Sequence, residues 1–172
     1  MASSSTLRFA DSSLWGTWGP KRTCPKGEIA NSYSQRVEDY RKFILFDNTA
    51  LNSICLRCRN GYFICSKKGY WGTWATSPTS NDGFDAANLK IDRHQGNKVD
   101  DMGAKDFQVY NSGVTYSARN GRPNGIWMGT QYCPSGQRIC GIQTRVSGKQ
   151  GKYDDIALSG VILQCCKKDR YY

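Results

Sequence analysis

Three stretches of the chain alternate apolar and polar positions in the same phase. Ile54, Leu56 and Cys58 stand at every second position, as do Phe107, Val109 and Asn111, and Val161, Leu163 and Cys165. A period of two marks a strand with one face in a core. Each stretch starts seven residues past the first Asp of a shared landmark. The landmark reads Asp47-Asn48-Thr49-Ala50-Leu51-Asn52, then Asp100-Asp101-Met102-Gly103-Ala104-Lys105, then Asp154-Asp155-Ile156-Ala157-Leu158-Ser159. Three copies in phase predict three equivalent strands around one core. No 3.6-residue period is sustained, and Gly, Asn and Ser interrupt the remaining segments, so helix is not expected. Asn60-Gly61 predicts a two-residue hairpin turn between Cys55–Cys58 and Tyr62–Cys65.

The repeat extends beyond these strands. Trp15, Trp71 and Trp127 are spaced 56 residues apart, and Trp15-Gly16-Thr17-Trp18 recurs as Trp71-Gly72-Thr73-Trp74 and more loosely around Trp127 and Gly129. Cys24-Pro25-Lys26-Gly27 matches Cys133-Pro134-Ser135-Gly136, and each Cys precedes a Val, Val37 or Val146, by 13 residues. The expected architecture is all-β: a single domain over residues 1–172, with units at about 14–69, 70–125 and 126–168. Three sheets of short strands would face one axis as a prism. No unit could bury its apolar face alone, so folding should be cooperative across all three.

Composition narrows the function classes. Lys plus Arg is 24 against 14 Asp plus Glu, a formal charge of +10, while 38% hydrophobic and 12% aromatic residues exclude a disordered chain. No run of about 18 apolar residues exists to span a membrane as a helix, and no membrane partner is expected. The even count of 8 cysteines points to disulfides and an oxidising, extracellular location. Met1 to Leu14 lacks a basic start and an apolar run, so it reads as a mature chain with an initiator Met rather than a signal peptide. The single histidine, His94, excludes sites needing two and reads as a solvated loop residue. Cys55-x-x-Cys58 has no second clustered pair suited to zinc, since Cys165 and Cys166 are adjacent. Neither a metal nor a cofactor is expected.

The two WGTW stretches, the Asp47–Asn52 landmark with its two echoes, and the closing Cys165-Cys166-Lys167 resemble the vitelline membrane outer layer protein family. The resemblance covers about Leu14 to Lys168. It implies a β-prism of three Greek-key sheets with a pseudo-threefold internal repeat. It also implies a secreted, disulfide-bonded, basic protein of an extracellular coat, such as the outer layer around egg yolk. A link to carbohydrate follows from a fold shared with jacalin-type lectins and from a transferase-like action on N-acetylchitooligosaccharides suggested for the family. The family usually carries one disulfide per repeat and an extra one in the third. Here the second repeat departs from that pattern, with Asn111 at its late position and Ser77–Ser80 at its early one, while Cys55 and Cys65 are additional and flank the hairpin turn. The expected pairs are Cys24–Cys58 and Cys55–Cys65. Repeat symmetry favours Cys133–Cys165, but the family pattern crosses to Cys133–Cys166 with Cys140–Cys165, and the crossed pairing is the one expected.

Candidate site residues follow. Trp18 and Trp74, with Asp101 and Asp155, could present a sugar-stacking platform; packing at repeat ends is the structural alternative for the tryptophans. Asp47, Asp100 and Asp154 could supply an acid–base pair for glycan chemistry, although one Asp per repeat also fits a turn that satisfies backbone N–H groups. The spread of Lys and Arg along the chain attracts polyanions. The expected function is a structural and binding protein of an egg envelope or mucosal layer, its basic surface holding acidic glycoproteins or anionic glycans. The alternative is a lectin-like binder, or a transferase, of N-acetylchitooligosaccharides; enzymatic activity is not the favoured reading. No motif for nucleic acid accompanies the charge, so nucleic acid is not an expected partner.

Overall fold

The computed structural model describes residues 5–10, 16–38, 51–69, 71–91, 103–146 and 158–168. Its strands, in chain order, begin with β1 (Thr6–Ala10), β2 (Thr17–Trp18), β3 (Arg22–Thr23), β4 (Ala30–Val37), β5 (Leu51–Cys58), β6 (Phe63–Cys65) and β7 (Thr73–Thr76). They continue with β8 (Ala86–Ile91), β9 (Ala104–Asn111), β10 (Val114–Ser117), β11 (Ile126–Trp127), β12 (Gln131–Tyr132), β13 (Gln137–Val146) and β14 (Leu158–Lys167). No helix occurs among the described residues.

The strands form three antiparallel sheets, and the fold is a β-prism. Sheet I has the order β6-β5-β4-β7, sheet II β10-β9-β8-β11 with β12 also on β8, and sheet III β1-β14-β13-β2 with β3 also on β13. The three orders correspond. A long central pair is flanked on one side by a hairpin strand, and on the other by the segment that leads into the next sheet. In sheet III, among the described residues, no hairpin strand follows β14. That edge is taken by β1, with Leu7 opposite Leu163 and Phe9 opposite Val161. Leu7 and Phe9 thereby enter the core.

The alternation in the sequence is realised. Ile54, Leu56, Phe107, Val109, Val161 and Leu163 are all 0% exposed and converge in one cluster with Leu51, Leu89, Ile139 and Leu158. Each such side chain contributes roughly 1.5–3 kcal/mol by leaving water. Tyr33 crosses this core from sheet I to sheet II. Its ring stands edge-on to Phe107 at 5.1 Å; its hydroxyl donates to Phe107 O and accepts from Ala118 N at 2.9 Å. Burial pushes the phenol pKa up, out of the titrating range.

The hairpin between β5 and β6 differs from the expected two-residue turn. Gly61 N donates to Cys58 O and Cys58 N to Tyr62 O, both at 2.8 Å. The loop is therefore Arg59–Gly61. Only Gly61 takes positive φ, at 94°, so a mirror-image turn with two such residues does not form; a three-residue loop closed by a glycine bulge does.

Four disulfides pin the sheets. Cys24 joins Cys58 and Cys55 joins Cys65. In sheet III the crossed pairing is replaced by Cys133–Cys165 and Cys140–Cys166. Strand alternation is the reason. Cys165 shares the inward face with Val161 and Leu163 and meets Cys133 in the core cluster. Its neighbour Cys166 faces the other way, where Cys140 stands in the bulge between Ile139 and Gly141. Two of the bridges close junctions between sheets, Cys24–Cys58 between III and I, and Cys133–Cys165 between II and III.

The junction between sheets I and II has charges instead. Asn111 Nδ2 donates to Asp82 Oδ2 at 3.0 Å and to Gly83 O at 2.8 Å. Arg138 reaches the same carboxylate at 2.8 Å, and Lys168 binds its other oxygen. Lys168, Asn111 and Arg138, in that order, hold the Asp82 carboxyl well below the usual carboxylate range.

Candidate functional site

One local arrangement recurs at the corresponding end of all three sheets. The ladder slips at Arg36/Val37 in β4, at Lys90/Ile91 in β8 and at Arg145/Val146 in β13. A bulge of this kind re-aims the side chain beside it. Opposite each cation stands a tryptophan on the edge strand: Trp74 across from Arg36, Trp127 across from Lys90, Trp18 across from Arg145. A glycine with positive φ lies two residues before each tryptophan, at Gly16, Gly72 and Gly125. At Gly72 a Cβ would lie 2.4 Å from the Val37 carbonyl carbon, and at Gly125 2.7 Å from Ile91 O. The Gly of the WGTW motif is thus what lets the edge strand lie against the bulge.

This register revises the spacing read from the sequence. Trp127 is the counterpart of Trp18 and Trp74, the second tryptophan of each pair. It is not the counterpart of Trp15 and Trp71, and the matching triplets are Gly16-Thr17-Trp18, Gly72-Thr73-Trp74 and Gly125-Ile126-Trp127.

The three indoles have different surroundings. The Trp18 ring lies under two guanidinium groups, Arg8 at 5.1 Å and Arg145 at 5.5 Å, and its far edge packs on Gly160. Arg145 itself is buried and donates through Nε to Ser159 Oγ at 2.7 Å. Trp127 carries Lys90 over its face at 5.2 Å. Beside Trp74, Arg36 turns away and donates through Nε to Gly72 O at 3.0 Å. Trp74 is left 41% exposed and Trp71 45%. Of the two predicted stacking residues, Trp74 is therefore open to solvent and Trp18 is half-buried with its ring occupied by cations.

Asp47, Asp100, Asp101, Asp154 and Asp155 lie outside the described residues. A buried carboxylate that the sequence reading missed lies in sheet II. Asp106 Oδ1 accepts from Gln35 Nε2 at 2.9 Å and from Phe107 N at 2.8 Å. Burial raises its pKa, against the opposing effect of those hydrogen bonds. Gly121 lies directly on this carboxyl, where a Cβ would come within 2.0 Å of the carboxyl carbon. Asp106 is enclosed rather than presented. The basic partners of the tryptophans were also missed, although Arg36, Lys90 and Arg145 each precede a β-branched residue that ends its strand.

The family model for vitelline membrane outer layer protein I matches residues 5–168. The chain belongs to this family. The vitelline membrane outer layer protein 1 homolog of Homo sapiens is 30% identical over 168 residues, covering 89% of this chain and 78% of that protein. The homolog of Mus musculus is 26% identical over 189 residues, covering 94% and 83%. Among solved structures, the V. cholerae biofilm matrix protein Bap1 aligns with a TM-score of 0.50 at 12% identity, over 94% of this chain and 24% of that one. That likeness is one of fold. Within the vitelline membrane outer layer family frame, this chain combines two disulfide-closed junctions with one closed by the Asp82 cluster.

Proposed function

We propose that the protein is a secreted structural component of an extracellular coat, an egg envelope or a mucosal layer, whose basic exterior binds acidic glycoproteins or anionic glycans. The observation that carries this reading is a net charge of +10 on a small shell closed by four disulfides. Membership of a family named for the outer layer of the vitelline membrane supports the location. The bridges suit an oxidising compartment, and excess cations concentrate polyanions at the surface. Binding should be measured to a sialylated mucin before and after enzymatic desialylation. The reading predicts strong binding that drops sharply when the sialic acid is removed. Equal binding to both forms would contradict it.

A second reading, binding of neutral N-acetylchitooligosaccharides, is favoured by one feature: the exposed rings of Trp71 and Trp74. It predicts that Trp74→Ala abolishes capture of chitohexaose while leaving mucin binding unchanged. Retention of chitohexaose by the variant would remove it.

A further inference from the structure

The outward face of sheet III carries a cavity that none of the preceding roles uses. Outward positions of β13 and β14 alternate with the core positions. Gln143 stands opposite Ile162, and on the other side of β14 Thr6 stands opposite Gln164. With Lys21 and Ile142 these residues line a cavity of ≈ 220 Å³. That is below the roughly 300–1,000 Å³ of sites for drug-sized ligands, and suits a single ring.

Its lining is chemically specific. Gln143 Nε2 donates to Gly19 O at 3.0 Å, which fixes the segment leading to Lys21. Lys21 is exposed and forms no ion pair among the described residues. Gln164 Oε1 is buried with no hydrogen-bond donor. A buried acceptor left without a donor is costly, and a donor brought by a ligand recovers that cost. Ile162 supplies an apolar surface between these polar groups. On β1, Arg8 stands opposite Ile162 with its guanidinium over Trp18, adding positive potential at the rim.

We propose that this cavity binds one hexuronate residue, a pyranose carrying its carboxylate on C5, of an anionic glycan. The Lys21 ammonium takes the carboxylate. A ring hydroxyl donates to Gln164 Oε1 once the amide turns that buried atom into the cavity, the Thr6 hydroxyl bonds a neighbouring oxygen, and a C–H face of the ring rests on Ile162. The unsatisfied acceptor selects against simple oxyanions: fully ionised sulfate brings acceptors only and leaves Gln164 Oε1 as it was. The site rests on the anionic-glycan reading above and names the sugar chemistry within it.

The test uses methyl glucuronide, methyl glucoside and sodium sulfate as probes, with the side-chain amide signals of Gln143 and Gln164 followed by NMR. Methyl glucuronide should shift both signals, and methyl glucoside should bind about tenfold more weakly, the equivalent of one lost charge contact. Lys21→Gln should reduce glucuronide affinity to the glucoside level without changing the glucoside. Gln164→Leu should weaken both sugars. Equal affinity for the two sugars, sulfate binding as tightly as glucuronide, or shifts confined to other residues would each overturn the site. Sialic-acid-dependent mucin binding without any glucuronide response would overturn the site and leave the coat reading standing; absence of both would overturn both.

Discussion

Asn111 donates its side-chain amide to Asp82 at 3.0 Å across the junction between sheets I and II, where the other two junctions are closed by disulfides. The backbone around the three junctions corresponds. Cys24 N donates to Cys140 O, Ser80 N to Asn31 O and Cys133 N to Asp85 O, all at 2.8 Å. Ser80 therefore occupies the place that Cys24 and Cys133 hold elsewhere. Charge pairing at this junction responds to carboxylate protonation, whereas the covalent junctions open only to a reductant or an attacking thiolate.

The pH response follows from Asp82. Its folded-state pKa is depressed, so its contribution is present above the usual carboxylate pKa of 3.8 and is lost as pH falls through the folded value. Its side chain is 41% exposed, so screening keeps the effect small, at most about 1 kcal/mol. Urea midpoints between neutral and acid pH should fall for the native chain and fall less for Asp82→Asn. Parallel curves would show that the cluster contributes nothing.

Asp106 behaves in the opposite sense. Its pKa is raised by burial, so ionisation costs stability once pH rises past the unfolded value. Asp106→Asn keeps an oxygen for Gln35 and Phe107 N and removes the charge. The variant should be more stable than the native chain at neutral pH, with the gain disappearing in acid. A loss at neutral pH would mean that the charge itself is needed.

A fifth bridge should form at the junction between sheets I and II, which lacks one. Ser80→Cys combined with Asn111→Cys should oxidise spontaneously and appear as a linked peptide in a non-reducing map. It should add about 3–4 kcal/mol by constraining the unfolded chain. Two free thiols in the folded double variant would show that the three junctions are not equivalent.

Tyr33→Phe should cost about 1–3 kcal/mol, because Phe107 O and Ala118 N both lose their partner inside the protein. Thermal unfolding measures it directly. No change would mean that water replaces the hydroxyl.

Much of the fold is legible in the residues. Ile54, Leu56, Phe107, Val109, Val161 and Leu163 declare a buried face because strand periodicity is local. Pairing of Cys165 with Cys133 rather than Cys140 follows from the same alternation, since adjacent cysteines on a strand face opposite ways. The equal spacing of 56 aligns Trp127 with Trp71 and hides a shorter interval: Trp74 and Trp127 are 53 apart. The cavity on sheet III was not legible at all. Thr6 and Gln164 come from opposite ends of the chain, and only the pairing of β1 with β14 brings them together. The same is true of Arg8 and Arg145 over Trp18. Charge, by contrast, was visible from composition but not its placement.

The proposed coat function depends most on an electrostatic surface meeting an anionic partner. Affinity for sialylated mucin measured across a salt series, from about 50 to 200 mM at constant pH, tests this most directly. The account predicts a steep, continuous fall in affinity as salt rises, with the disulfides intact throughout. Affinity that stays level over that range would contradict it.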